Sequence, residues 1–208
     1  MQQSECIKFV KNNLDWSEKG IIKLRRFHDF LIIYNKKYNL ISKNTENSIW
    51  TRHILDSAQL VRFFDLKKYF TLADLGSGAG FPGLILAIFS NNNLFHVKLY
   101  EKSPVKRNFL KRIGDELDIK FDVVDDVYKE KIVADVIVCR AFKKLPQIIK
   151  ISRENIEKPH KLIILKGKDA HLDIKKVSLE MNYRYKLEKS LTNDDSKIII
   201  IDANKKKD

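Results

Sequence analysis

The chain has 208 residues, enough to bury one full α/β core plus a short extension, and length alone favours one domain or at most two. Forty Lys and Arg against twenty-seven Asp and Glu give a formal charge of +13, an excess that attracts polyanions and suits RNA or an anionic membrane surface, unless the basic residues are merely solvated. No run approaches the ~20 apolar residues of a membrane span, Met1 to Glu5 lack a signal-peptide pattern, and the two cysteines, Cys6 and Cys139, lie too far apart to indicate a disulfide framework or a zinc site. The expectation is a cytoplasmic protein without a membrane anchor or a metal.

Residues 4–64 read as helical, because Ile21, Leu24, Phe27, Leu31 and Tyr34 recur at helical spacing without strand-like alternation. A further helix is predicted to start at Asn44-Thr45 and to carry Ile49, Ile54, Leu55, Ala58 and Val61 toward the core. From Tyr69 onward, short apolar runs alternate with amphipathic stretches: 70–75, 84–90, 95–101, 105–117, 121–124 and 133–140. That βαβα rhythm predicts a mostly parallel sheet wrapped by helices. Residues 146–156 read as the next helix and 161–165 as the next strand. Residues 183–187 and 197–201, separated by the polar run 192–196, read as an antiparallel hairpin closing the sheet. The predicted organisation is a helical extension over 1–64, a core over 65–204 and a frayed tail over 205–208, all in one compact unit.

The most informative segment is Leu72-Ala73-Asp74-Leu75-Gly76-Ser77-Gly78-Ala79-Gly80-Phe81-Pro82-Gly83, which holds four of the seven glycines. It sits where an apolar strand runs into a helix. Gly76, Gly78 and Gly80 lack the Cβ that would keep a ligand away from the backbone. A triphosphate loop would need Lys-Ser or Lys-Thr after the last glycine, where Phe81-Pro82-Gly83 stands. The dinucleotide fingerprint wants a different third spacing, and Asp74 would repel a diphosphate. Asp74 instead suits a ligand with a cationic end, such as the ammonium and sulfonium of S-adenosylmethionine. Glu101 ends the next strand, where a carboxylate can accept both hydroxyls of an unphosphorylated ribose. For either acid alone, a helix cap or turn is the competing reading.

These segments resemble the glucose-inhibited division protein B family of bacterial small-subunit ribosomal RNA methyltransferases, which methylate guanine at N7. The resemblance spans nearly the whole chain. It rests on Asn39-Leu40, Arg52-His53-Ile54-Leu55-Asp56-Ser57, Asp74 to Gly83, Glu101-Lys102-Ser103, Lys106-Arg107-Asn108-Phe109-Leu110, Arg140-Ala141-Phe142 and Leu165-Lys166-Gly167. The glycine loop by itself indicates only a methyltransferase, and the Arg-His-x-Leu-Asp-Ser and Arg-Ala-Phe segments narrow it to this family. The resemblance implies a class I S-adenosylmethionine-dependent methyltransferase (Rossmann-like) fold, S-adenosylmethionine as cofactor, and 16S ribosomal RNA or the small ribosomal subunit as partner. It implies that Gly76, Phe81, Val127, Tyr128 and Arg140 contact the cofactor. Tyr128 departs from the acidic residue associated with its place, so only a backbone contact carries over there. Asp74, Gly78, Gly80 and Glu101 complete the expected cofactor set.

No residue reads as an essential base, since N7 of neutral guanine carries an in-plane lone pair and its methylation needs positioning rather than deprotonation. Arg140, Lys166 and His53 are the catalytic candidates, each with a structural alternative. Arg140 closes an apolar strand, where it can pair with Asp74 or Asp56, set the cofactor carboxylate or face the RNA. Lys166 points into the crevice or is an ordinary strand-ending lysine. His53 shares a helix face with Asp56, an arrangement that serves packing as readily as chemistry. RNA-binding candidates are Arg25, Arg26, Lys102, Arg107, Lys143 and Lys166, with Lys36, Lys37, Lys106 and Lys144 beside them, and Phe142 either stacks on an extruded base or belongs to the core. The rival functions are a methyltransferase acting on a protein or small molecule, a non-catalytic RNA-binding protein and, more distantly, a nicotinamide dehydrogenase. Nothing in the sequence demands a dimer, and a monomer is expected.

Overall fold

A computed structural model describes residues 1–65, 68, 70–90, 94–180 and 184–203, without the side chains of 176 and 178–180. Seven strands form one sheet: β1 (Thr71–Leu75), β2 (His96–Tyr100), β3 (Asp122–Val124), β4 (Val136–Arg140), β5 (His160–Lys166), β6 (Tyr185–Lys189) and β7 (Lys197–Ala203). Their order is β3-β2-β1-β4-β5-β7-β6. The first five are parallel, and β7 lies antiparallel between β5 and β6. This is the mostly parallel sheet with a closing antiparallel hairpin that the sequence predicts. Residue 183, the predicted start of the hairpin, and the predicted tail over 205–208 lie outside the described residues.

Strand residues alternate between two cores because successive side chains leave a strand on opposite faces. In β4, Val136 and Val138 join the cluster under the N-terminal helices, and Ile137 and Cys139 join the cluster on the opposite face. The first face is covered by α1 (Gln3–Leu14), α2 (Glu18–Tyr38), α5 (Gly83–Phe89) and α6 (Pro104–Leu117). The second is covered by α7 (Leu145–Asn155) and α8 (Ala170–Glu180). The sequence reading missed α8, although its buried Ala170, Ile174 and Val177 carry helical spacing.

Helix α2 starts at Ser17, whose Oγ accepts the N–H of Gly20 at 3.1 Å, and ends at Asn39 in a left-handed conformation. It buries Leu24, Phe27 and Leu31, with Phe27 edge-on to Phe81 at 5.4 Å between ring centres. The single helix predicted from Asn44 is instead broken into α3 (Lys43–Glu46), a π-helical turn (Trp50–Leu55), α4 (Asp56–Ala58) and a 3₁₀ turn (Gln59–Phe63). Hydroxyls that bond back to the chain accompany the breaks: Ser48 Oγ donates to the Thr45 carbonyl at 3.3 Å and Ser57 Oγ to the His53 carbonyl at 2.6 Å. The expected inward residues Ile49, Ile54, Leu55 and Ala58 are nevertheless buried, and Val61 is half-buried.

Candidate functional site

Strand order reverses between β1 and β4, and ligands of such sheets bind beyond the carboxyl ends of the strands at that switch point. A cavity of about 330 Å³ lies there. The loop after β1 contributes Gly76 and Gly78, the end of β2 contributes Glu101, the loop after β3 contributes Val127, and the segment after β4 contributes Phe142 and Lys143.

The glycine loop is closed onto β2, because the N–H groups of Gly76 and Ser77 both donate to the Tyr100 carbonyl, at 2.8 and 3.0 Å. Gly78 (φ +57°) faces open space, since a Cβ built there meets nothing nearer than the Gly76 carbonyl at 4.0 Å. That is the room a ligand needs. The other expected glycines serve the protein itself: a Cβ on Gly76 (φ +78°) would stand 2.4 Å from Phe142 Cδ2, and one on Gly80 would stand 2.8 Å from Leu84 Cβ. Gly76 still lines the cavity, whereas Gly80 and Phe81 do not.

Asp74 also departs from its expected position at a cationic ligand end. It is completely buried and braces the loop, its Oδ2 accepting the Gly83 N–H at 2.9 Å. Burial drives its carboxyl up to about 7, against the lowering effects of the Gly83 amide, Ser77 and Arg140. Its Oδ1 has no hydrogen-bond partner among the described residues. The sequence places an acid here correctly; burial turns it inward.

Glu101 lies where expected. Its Oε2 accepts the Gly78 N–H at 2.8 Å and its Oε1 the Ser103 N–H at 2.7 Å, which fixes the carboxylate at the cavity wall with lone pairs to spare. Arg107 supports this turn by donating to the carbonyls of Glu101 (3.0 Å) and Lys102 (2.6 Å), so it acts as a brace rather than a free RNA contact. Val127 presents an apolar wall. Tyr128 does not line the cavity, and its backbone N–H, the contact expected to survive, donates to Asp126 Oδ1 at 3.1 Å.

Arg140 is withdrawn from the cavity toward the N-terminal helices. It donates to the Arg52 carbonyl at 2.8 Å and to His53 Nδ1 at 2.7 Å, approaches Asp56 Oδ2 at 3.6 Å and lies over the Phe81 ring at 5.0 Å. Asp56 is thus the carboxylate partner, not Asp74. Asp56 Oδ1 accepts from Thr192 Oγ1 at 2.8 Å and from Gln59 Nε2 at 3.0 Å, tying this cluster to the loop of the C-terminal hairpin. His53 stacks on Phe81 at 4.9 Å, and burial followed by the Arg140 and Arg52 charges pushes its imidazole down to about 3. A histidine so neutral is a poor proton shuttle at physiological pH.

Lys166 does not enter the cavity, because it pairs with Asp173 of α8 at 2.7 Å. The helix missed in the sequence supplies that partner. Among the other cations, Arg26 is tied to Glu116 at 2.7 Å, and Lys102 pairs with Asp126 at 3.1 Å while lining the cavity. Lys143 lies over the Phe142 ring at 5.5 Å, and Arg25 is exposed. Ala141, in a left-handed conformation with φ 49°, also lines the cavity; the sequence reading marks it only as part of the Arg-Ala-Phe segment, with no site role.

This donor set fits S-adenosylmethionine. Gly78 leaves backbone open to a ligand, Glu101 offers a fixed acceptor for a ribose diol, Val127 and Phe142 give apolar surface, and the neighbouring cations suit a carboxylate.

A family model for GidB, rRNA small subunit methyltransferase G, matches residues 21–199. The chain belongs to the GidB family. It is similar to the ribosomal RNA small subunit methyltransferase G of Pelagibacter ubique, 35% identical over 201 residues that cover 94% of each chain. The protein of the same name from Orientia tsutsugamushi strain Ikeda is 34% identical over 194 residues, covering 93% of this chain and 96% of that one. Among solved structures, a SAM dependent methyltransferase from Aquifex aeolicus aligns with a TM-score of 0.59 at 15% identity, over 77% of this chain and 94% of that chain. A precorrin-6y C5,15-methyltransferase from Geobacter metallireducens aligns with a TM-score of 0.52 at 12% identity, over 79% and 90%. These two likenesses establish the class I methyltransferase fold alone. GidB membership makes the chain an S-adenosylmethionine-dependent ribosomal RNA methyltransferase. Among its described residues, no helix is long and apolar enough to cross a membrane.

Proposed function

We propose that this GidB-family chain methylates N7 of a guanine in 16S ribosomal RNA, as free RNA or within the small subunit, acting as a cytoplasmic monomer. In this reading residues 65–204 are the catalytic core and residues 1–64 a helical extension that adds RNA-facing charge. The observation that carries the site assignment is the Glu101 carboxylate, fixed by two backbone amides beside the open face of Gly78.

When bound, S-adenosylmethionine supplies an electrophilic methyl group on a sulfonium. Glu101 would hold its ribose and Val127 and Phe142 would flank its apolar parts, while the bracing of the loop by Asp74 and Tyr100 keeps the Gly78 backbone in place. Arg140, anchored through His53 and Asp56, carries its charge behind Phe81 and orients that ring. The guanine N7 lone pair needs only alignment and removal of water, so proximity supplies the catalysis.

The test is transfer of a labelled methyl group from S-adenosylmethionine to purified small subunits, protein-free ribosomal RNA and total protein, followed by nucleoside analysis. N7-methylguanosine at one ribosomal site is expected. Label in protein, or in another nucleoside, overturns the assignment.

A further inference from the structure

Outside the cavity, α2 and α6 carry an aromatic ladder edged with cations. Phe30 stacks on Tyr34 with ring centres 4.4 Å apart, and Tyr34 stacks on Tyr38 at 5.9 Å, the three rings recurring one helical turn apart along α2. Phe30 and Tyr34 also pack on Phe109 of α6. The ladder therefore begins in the core and runs outward to Tyr38, which is 39% exposed.

The two helices run in opposite directions. Lys23 and Arg26 near the start of α2 reach Asp118 and Glu116 at the end of α6, whereas Tyr34 meets Phe109 and Arg112 nearer its middle. One turn further, Tyr38 reaches the level of the first turns of α6, where Lys106 lines the cavity. The exposed end of the ladder thus lies level with the α6 turns that border the cavity.

Cations frame the ladder. Arg112 donates to the Tyr34 hydroxyl at 3.2 Å, and Lys37 Nζ lies over the Tyr38 ring at 5.2 Å. Among the described residues, Lys36, Lys37, Lys106 and Arg112 form no ion pair with a carboxylate, in contrast to Arg26 and Lys102. A row of unneutralised cations beside an exposed aromatic face matches a nucleic-acid strand: phosphates take the charges and an unstacked base takes the ring. A solvated surface explains the charges alone; it does not explain why a ring ladder ends exposed between them.

We propose that the Tyr38 end of this ladder, with Lys37 and Arg112, is a docking track that stacks one unpaired base of the substrate RNA and leads its strand to Lys106 and the cavity. This rests on the RNA-methylating reading above. The flexible Lys37 ammonium covers Tyr38 in the free protein, and an incoming base displaces it onto the adjacent phosphate.

The test compares the full chain with Tyr38→Ala, Tyr38→Phe and the double variant Lys37→Gln/Arg112→Gln. Protein-free small-subunit ribosomal RNA is bound across a salt series, S-adenosylmethionine binding is followed by calorimetry, and thermal unfolding checks each fold. Tyr38→Ala is expected to weaken RNA binding about tenfold or more, and Tyr38→Phe to preserve it, because the ring and not the hydroxyl does the stacking. The double cation variant should flatten the dependence of log affinity on log salt by about one to two units. Cofactor affinity should be unchanged throughout. If the wild type methylates ribosomal RNA and Tyr38→Ala binds it as tightly with the same salt slope, the track is wrong and the function stands. If the wild type neither binds nor methylates ribosomal RNA, whether protein-free or within purified small subunits, both fall together.

Discussion

Arg140 Nη2 and His53 Nδ1 lie 2.7 Å apart, and because a guanidinium only donates, the imidazole nitrogen must accept. The pair joins the end of β4 to the N-terminal helices, and burial first, then the Arg140 and Arg52 charges, pushes the His53 pKa down to about 3. In the unfolded chain His53 takes a proton below its ordinary value of 6.5, which the folded chain refuses until about pH 3. Stability from this group is therefore complete above pH 6.5 and is lost as pH falls toward 3, with a slope approaching ~1.4 kcal/mol per pH unit. His53→Gln keeps an acceptor for Arg140 and removes that slope. Denaturant unfolding at several pH values should show the difference between the two proteins widening between pH 3 and 6.5; parallel curves would contradict it.

Asp74 has the opposite sign. Its carboxyl is raised to about 7 by burial, so its contribution is complete below the model-compound value of 3.8 and is lost as pH rises through 7. Asp74→Asn keeps an oxygen for the Gly83 N–H without the buried charge. It should be more stable than wild type above pH 7, with the gap closing below pH 4. Asp74→Ala instead leaves the Gly83 N–H unpaired and should be about 1–3 kcal/mol less stable than Asp74→Asn at every pH. Urea titrations of the three proteins at pH 4 and pH 8 decide the matter.

Gly76 and Phe142 occupy one space, and the ring stands where a Cβ on residue 76 would lie. Gly76→Ala should weaken S-adenosylmethionine binding about tenfold or more, through displacement of the ring and strain at φ +78°. In a Phe142→Ala background the further loss should be smaller, because only the backbone strain remains. A double-mutant cycle on calorimetric affinities should give a coupling of about 1 kcal/mol or more; additivity would mean the clash is relieved elsewhere.

Glu101→Gln should weaken cofactor binding about tenfold or more, since its amide group must face the Gly78 or Ser103 N–H and a charged acceptor is lost. RNA affinity should stay within about twofold, because the carboxylate contributes no phosphate contact. Calorimetry with the cofactor and filter binding with ribosomal RNA separate the two effects, and equal losses in both assays would assign Glu101 a broader role.

Single-turnover methyl transfer at saturating cofactor should show no steep pH dependence that one side chain's substitution removes. Guanine N7 offers its lone pair without losing a proton, and His53 stays neutral across the working range. A bell-shaped profile that loses one limb in a single variant would reveal a base in the reaction.

The sequence by itself determined the order of elements from β1 to β5, the closing hairpin, the placement of the ligand loop after β1 and the carboxylate at the end of β2. Each depends on residues near one another in the chain: period-two or helical spacing of apolar side chains, and glycines where strand meets helix. The same local logic misjudged the segment after Asn44, where backbone-seeking hydroxyls divide the helix. It also passed over α8, although Ala170, Ile174 and Val177 carry helical spacing directly after Asp169, a residue type favoured at helix starts. Only the tertiary structure decided which polar groups meet. Arg140 turned to His53 and Asp56, Lys166 to Asp173, the Tyr128 amide to Asp126, and Asp74 inward to Gly83. These choices arise when buried polar groups, often far apart in the chain, must find hydrogen-bond partners in the packed protein, and no spacing rule along the sequence encodes that competition.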